Sequence, residues 1–425
     1  MGEANDPSDD PGKNLPTPRV LFLATFFPRP LNMLLGPWAL AQAQALRRHI
    51  PDFRVISLTP LVPKLLARSP GSRAYAYTPA EHRFGQLDVA YPRWLLYPIP
   101  PFKQWAFPAP QRQLRLGWWS AASGLRRHIR QARPDVIFAH HTAVNGYVAR
   151  RIQEEFGIPY VITDHDFQEV TYCERFPARK ALFAEIYRHA SAVVAVSGRM
   201  EADMRRIFPG VPAFTVHNGI DPLPAACWTT PRPAELVGRK IIFSAGMFYQ
   251  RKGIPLLVEA FGKIADRHPD ALLRIAGDGA ERPQIEAAIR NARVEQRVQL
   301  LGKVAHEVVL QEMVWSDAFA LIGWDEPFAT VFIEAMGAGK PIVCANDGGI
   351  TDVVRDGVHG RTVAPKSLDA AVEALDAILD DDSGRLRMGA AAKALVAEKL
   401  TWDANAVAML ALFRQAAAKP RGVVG

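Results

Sequence analysis

Cysteine is scarce in this chain of 425 residues: Cys173, Cys227 and Cys344 stand far apart and form no metal-ligand spacing. An odd, sparse set of this kind excludes a disulfide framework and fits a reducing compartment, so a cytoplasmic location is expected. Long apolar runs are missing too. Val20–Phe27 is cut off by Pro28-Arg-Pro30, well short of the ~18 residues that would cross a bilayer. Residues 1–16, MGEANDPSDDPGKNLP, are polar and acidic with no apolar core, which argues against a secretory signal and for a disordered tail. No metal ion is expected to be needed. No nucleic-acid-binding motif accompanies the basic residues.

What is there suits a folded chain of two or three domains: 49% of residues are apolar and 22% charged. The net charge of +8 is uneven. Residues 1–225 hold 27 Lys and Arg against 18 Asp and Glu, a net +9, whereas 226–425 hold 24 against 25, a net −1. A basic first half mixed with aromatic residues suits either an anionic membrane surface or plain solubility.

Apolar runs of strand length alternate with helical periodicity along the chain. Arg19–Phe27 reads as a buried first strand, followed by a helix over 37–49 with Gly36 before it and Pro37 suited to its first turn. Phe53–Leu58 is a second strand. Residues 59–110 depart from this alternation, rich in proline and in aromatics that include Tyr75, Tyr77, Tyr97, Phe102 and Trp105. That stretch is either an acceptor-side or membrane-facing lid, or an irregular segment packed on the core. A helix over 111–133 carries Trp118 and Trp119 beside Arg112, Arg115, Arg126, Arg127 and Arg130. The strand Asp135–His141 ends in His140-His141, with a helix expected from Ala143. The strand Ile158–Thr163 runs into Asp164-His165-Asp166. Histidines where parallel strands meet their loops lie at the ligand edge of such a sheet. Residues 222–239 are proline-rich and aperiodic, a linker by composition. Beyond it, strands at 241–245, 272–276, 298–301, 318–322 and 341–345 alternate with helices. The fold class is therefore α/β with two doubly wound parallel sheets, divided as a 1–16 tail, a 17–221 domain, a 222–239 linker, a 240–400 domain and a 401–425 helix.

The most informative stretch is Trp324–Gly349, WDEPFATVFIEAMGAGKPIVCANDGG, which reads as a strand end, a turn, a helix over 330–338 and a strand. The first turn of such a helix offers unpaired N–H groups and a positive dipole end, where a phosphate fits. Glu326 and Glu334 flank that turn. Carboxylates repel phosphate and suit neutral hydroxyls, such as those of ribose or a sugar. Glu-x7-Glu followed by Ala-Met-x-Ala-Gly-x-Pro-Ile-Val and a Gly-Gly pair resembles the donor site of the family 4 retaining glycosyltransferases, whose fold is GT-B. The resemblance extends to Asn218-Gly-Ile-Asp221 and to Thr163-x-His165-Asp166.

The resemblance implies two Rossmann-like domains facing a cleft, with the final helix returning toward the first. It implies a role for each matching residue. His165 would be the active-site histidine, with His140 and His141 left open between ligand contact and core. Gly36 stands in the first loop, where relatives carry a pair of glycines. Gly246–Gly253 resembles a Gly-Arg-Leu-x-x-x-Lys-Gly loop in which Lys252 neutralises the donor diphosphate. Met247 replaces its arginine, leaving Arg251 to supply the second cation. Gly277 and Gly279 would let the backbone approach the nucleotide, and Lys303 and Val304 would contact its base. N–H groups of Ala329, Thr330 and Val331 would bind the diphosphate, Glu326 the donor sugar and Glu334 the ribose. A nucleoside-diphosphate sugar is then the donor substrate and no cofactor is expected. The acceptor is a glycan or a lipid-linked sugar, in cell-envelope or exopolysaccharide assembly. The competing readings are a sugar-nucleotide epimerase of the same fold and a non-catalytic nucleotide or glycan binder.

Overall fold

The structure, a computed structural model, describes residues 15–96 and 102–418. Most of the tail expected over 1–16, Tyr97 and the side chain of Phe102 lie outside the described residues. The chain divides into two compact units. One comprises residues 1–196, 200–216 and 402–425, the other 197–199 and 217–401.

The first unit is built on β1 (Val20–Leu23), β2 (Phe53–Ile56), β3 (Thr59–Pro60), β4 (Glu81–Phe84), β5 (Leu87–Ala90), β6 (Arg93–Trp94), β7 (Val136–His140), β8 (Tyr160–Asp164), β9 (Ala192–Ala195) and β10 (Ala213–Thr215). Eight of these form one sheet in the order β10-β9-β8-β7-β1-β2-β5-β4. All its pairs are parallel except the β4–β5 hairpin. Every residue of β1, β7, β8 and β9 is buried, which is why these strands read as unbroken apolar runs. Phe22 stacks on Phe138 at 4.6 Å between ring centroids. The last helix, Trp402–Ala418, packs Trp402, Ala406, Met409 and Phe413 into the same core beside helix Pro37–His49.

The stretch 59–110 is less irregular than its composition suggests. Leu87–Ala90 extends the main sheet from β2, and β3 pairs with β6 in a small separate sheet. Arg93 ties this region down by donating to the carbonyls of Tyr75 and Thr78. The helix expected from Ala143 begins as a π-helical turn, His141–Gly146, and continues as an α-helix over Tyr147–Phe156.

The second unit holds β11 (Lys240–Ala245), β12 (Ala271–Ala276), β13 (Val298–Gly302), β14 (Ala318–Leu321), β15 (Ile342–Ala345) and β16 (Gly360–Val363). They form an all-parallel sheet in the order β13-β12-β11-β14-β15-β16. The residues read as a linker are attached to this unit. They form a short helix, Ala225–Thr229, with Cys227 and Leu236 buried, and Arg232 pairs with Asp317 at 3.2 Å. Backbone pairing of Ile220 with Leu400 closes the unit at its other end. Among the described residues no helix is long and apolar enough to cross a membrane.

Candidate active site

Among the parallel strands the order reverses between β1 and β7 in the first sheet and between β11 and β14 in the second. Ligands of doubly wound sheets bind outside the carboxyl ends of the strands at this reversal. Arg251, Lys252 and Glu326 lie at the reversal of the second sheet, whereas Lys303 and Val304 follow β13 at its edge.

In the second unit, the loops leaving β11, β12 and β14 interlock backbone to backbone. A Cβ on Gly277 would lie 1.9 Å from the Gly246 carbonyl oxygen, and one on Gly279 would lie 2.7 Å from that of Phe248. The N–H of Phe248 donates to Asp278, and that of Glu281 to Phe248. Gly277 and Gly279 thus make room for their own chain. Gly253 has φ +65°, and a Cβ there would press on the Ile322 carbonyl at 2.9 Å. The Trp324 N–H donates to the Arg251 carbonyl at 2.9 Å. These contacts carry Arg251 and Lys252 to the loop after β14.

Glu326 meets them there. Its carboxylate accepts from Lys252 Nζ at 2.9 Å and from Arg251 at 3.2 Å, and only 4% of its side chain is exposed. The Gly348-Gly349 pair is explained by the same residue. The Gly349 N–H donates to the Glu326 carbonyl at 2.8 Å, and a Cβ on Gly349 would lie 1.8 Å from the Pro327 oxygen. Asp325 adopts φ +54°, an unusual conformation for a residue other than glycine. Arg199 secures it with an ion pair of 2.6 Å and also donates to the Asp347 carbonyl. Nothing near Glu326 in the sequence pointed to Arg199.

The helix Thr330–Gly337 starts beside this cluster, capped by Ala329, which has no side-chain acceptor to offer. The Phe332 N–H donates to the Ala329 carbonyl at 3.1 Å, and no capping side chain competes for the N–H groups of Thr330 and Val331, which can face solvent or a ligand. Glu334, on the second turn, accepts from His306 Nε2 at 2.9 Å. That hydrogen bond pushes the His306 imidazolium above its usual range, with burial opposing. His306 follows Lys303, which is exposed, and Val304, which is half-buried. Met247 is exposed, so its position accepts a polar side chain without disturbing the core.

In the first unit, β7 and β8 bring three histidines together. The His140 and His165 ring centroids lie 4.5 Å apart, and those of His141 and His165 5.6 Å. His140 is buried and hydrogen-bonds Gln42 at 2.7 Å, which in turn donates to Asn405 at 2.8 Å. Burial holds the His140 and His165 imidazoles well below the usual histidine range, and charge on neighbouring histidines adds to the effect. Both are therefore neutral at physiological pH. His141 has φ +66°, and neither of its buried ring nitrogens has a hydrogen-bond partner. Helix Pro37–His49 brings Trp38 to 6.4 Å from the His165 ring. Gly36 precedes it at φ +72°, where a Cβ would strike the Phe26 carbonyl at 2.3 Å. Its backbone packs against its own loop.

Two groups among the described residues have the composition of a cation site, and neither includes Glu326 or Glu334. In His141, Asp164 and Glu169, Asp164 already accepts from Thr142 and Tyr187, and Glu169 faces Arg179 at 3.4 Å. In His268, Asp376 and Asp380, the histidine and Arg267 share Asp376 at 2.8 and 2.9 Å. The second group is accounted for as an ion-pair and hydrogen-bond network, whereas in the first the two His141 ring nitrogens and Glu169 Oε2 have no hydrogen-bond partner.

Comparison with known proteins gives this arrangement a context. Residues 38–222 match the family model described as Glycosyltransferase Family 4, and residues 230–395 match that described as Glycosyl transferases group 1. Glycogen synthase of Mycobacterium tuberculosis is 27% identical over 286 residues, 66% of this chain and 68% of its own. Sucrose-phosphate synthase of Thermosynechococcus elongatus has a TM-score of 0.73 at 20% identity, covering 93% of this chain and 98% of that one. HepE of Anabaena, solved in complex with UDP and glucose, has a TM-score of 0.65 at 19% identity, with coverages of 92% and 97%. At these identities the solved structures speak for the fold, which is GT-B with two Rossmann-like domains. One matched stretch falls largely on the first unit and the other wholly within the second, so the chain belongs to the family 4 glycosyltransferases.

Proposed function

We propose that this glycosyltransferase moves a sugar from a nucleoside-diphosphate sugar to a glycan or lipid-linked acceptor with retention of configuration, and needs neither metal nor cofactor. The observation that carries this reading is the meeting of Arg251, Lys252 and Glu326 at the reversal of the second sheet, beside the uncapped start of helix Thr330–Gly337. Two cations and a helix N-terminus there can neutralise a departing diphosphate. Glu326 holds Lys252 in place and offers its remaining lone pairs to sugar hydroxyls. Glu334 binds the ribose, and the neutral His165 exchanges hydrogen bonds with a sugar hydroxyl. The UDP and glucose in the HepE complex support a donor of this class, with the base and sugar left to experiment.

Lipid-linked acceptors suit the surface of the first unit, in support of a role in cell-envelope or exopolysaccharide assembly. Leu65 is 93% exposed and Leu66 68%, on a turn flanked by Lys64 and Arg68. Trp105 and Trp119 are also exposed. Leucines bracketed by cations favour an anionic bilayer over a neutral one, and indole rings favour its interface. Trp118, counted with this surface in the sequence, is instead buried.

Thermal-shift screening against UDP-, GDP- and ADP-sugars tests the donor class. NMR of the transferred sugar with the stabilising donor then gives the anomeric outcome. Retention supports the reading. An inverted product, release of a free sugar as by an epimerase, or no response to any donor counts against it.

A further inference from the structure

The Glu334–His306 pair carries a property that motif reading does not supply. His306 opens the helix His306–Trp315, and its side chain is 56% exposed, whereas that of Glu334 is only 14% exposed. The 2.9 Å bond from Nε2 occupies one oxygen of Glu334 and fixes the rotamer of the carboxylate. Lone pairs on the second oxygen remain for a ligand. A bare carboxylate here would repel a diphosphate arriving at the neighbouring helix N-terminus. A protonated imidazole against it cancels that repulsion. We propose that His306 is a positioning residue whose charge sets how tightly this site holds a nucleoside diphosphate, so that nucleotide affinity falls as pH rises above neutrality. The proposal rests on the reading in which Glu334 binds the ribose.

The surroundings of His306 make Glu334 its controlling partner. The charged groups acting on it are Glu334, from helix Thr330–Gly337, and Glu307 on its own helix. The short helix Ala225–Thr229, packed alongside, carries only the buried Cys227 as a titratable group. Strand β11, also in contact, has its Lys240 at its first residue, where it is paired with Asp382. The N-terminus of the histidine's own helix disfavours the imidazolium. Glu334 is therefore what favours the charged ring: its hydrogen bond, and then its charge, raise the imidazole above its usual value against burial.

The experiment is calorimetric titration of UDP, GDP or ADP, whichever binds, between pH 7 and 8.5, a range in which the terminal phosphate, with a last pKa of about 6, gains little further charge. Wild type, His306→Gln and Glu334→Gln are compared, with NMR titration of the His306 ring in the wild type and in Glu334→Gln. Wild-type affinity should fall about three- to tenfold across this range. His306→Gln should be flat and resemble the wild type at high pH, and the ring should titrate lower in Glu334→Gln. Parallel profiles for wild type and His306→Gln, with Glu334→Gln still weakened, would overturn the proposal and leave the ribose assignment standing. Unchanged affinity in Glu334→Gln would remove that assignment and the proposal together.

Discussion

Replacing Glu326 by glutamine tests whether the ion-paired cluster forms in solution. The substitution keeps the shape and one acceptor but leaves Lys252 and Arg251 without their counter-charge. Arg251 is a third exposed and stays hydrated, so it contributes little. Lys252 is only 13% exposed and carries most of the cost. Breaking a buried pair from one side costs about 3–5 kcal/mol, and the amide retains about 1 kcal/mol by accepting a hydrogen bond. The expected loss is therefore about 2–4 kcal/mol. With a denaturant slope of roughly 2–3 kcal/mol per molar urea, the midpoint for the second unit should fall by about 1 M. Lys252→Met in the Glu326→Gln background removes the stranded charge and should restore about half of the loss, a coupling expected only of residues in contact. Urea unfolding followed by circular dichroism measures both. A midpoint unchanged by Glu326→Gln, or additive effects in the double variant, would refute the reasoning.

Met247→Arg should fold normally, because the side chain is exposed, and should tighten nucleoside diphosphate binding as a third cation beside the site; a melting temperature several degrees lower would contradict this. Leu65→Glu with Leu66→Glu should abolish sedimentation with anionic vesicles at physiological salt while leaving donor binding intact, each leucine having contributed about 1.5–3 kcal/mol if fully buried in lipid. Equal sedimentation of variant and wild type would remove this turn from the membrane account. The buried, neutral His140 adds a pH dependence to stability. Below the ordinary histidine value near 6.5 the unfolded chain takes up a proton that the folded chain refuses, so stability is whole above that pH and falls by up to about 1.4 kcal/mol per unit below it. Urea midpoints from pH 7 to 5 should fall more steeply for wild type than for His140→Gln, and parallel lines would show that His140 protonates without unfolding.

What the sequence revealed and what it concealed divide along physical lines. Lys252 and Glu326 could be singled out because each follows an apolar strand in a glycine-bearing turn, and Glu334 because it lies on the helix that leads from that turn to the next strand, a local pattern. His306 and Arg199 were not, since their partners lie 28 and 126 residues away and only the fold brings them together. The glycines were found, but what crowds them was not visible. Gly277 and Gly279 face Gly246 and Phe248, and Gly349 faces Pro327, contacts between loops from separate strands. Strand β16 escaped notice because Gly360-Arg-Thr-Val363 is short and half polar. The hairpin in 81–90 was hidden by the prolines around it, which mark turns without saying what they connect.

The central claim is that the reversal edge of the second sheet holds the nucleoside diphosphate of a sugar donor, with Glu334 on the ribose and Lys252 on the diphosphate. Calorimetric titration of UDP, GDP and ADP into wild type, Glu334→Ala and Glu326→Ala tests it most directly. One nucleotide should bind the wild type one-to-one. Glu334→Ala should weaken it by more than about tenfold, since charge-assisted hydrogen bonds of roughly 1.5–3 kcal/mol are lost. Glu326→Ala should bind at least as tightly as wild type, because Lys252 is released from its 2.9 Å pairing to meet the diphosphate. Failure of all three nucleotides to bind, or equal losses in the two variants, would contradict the account.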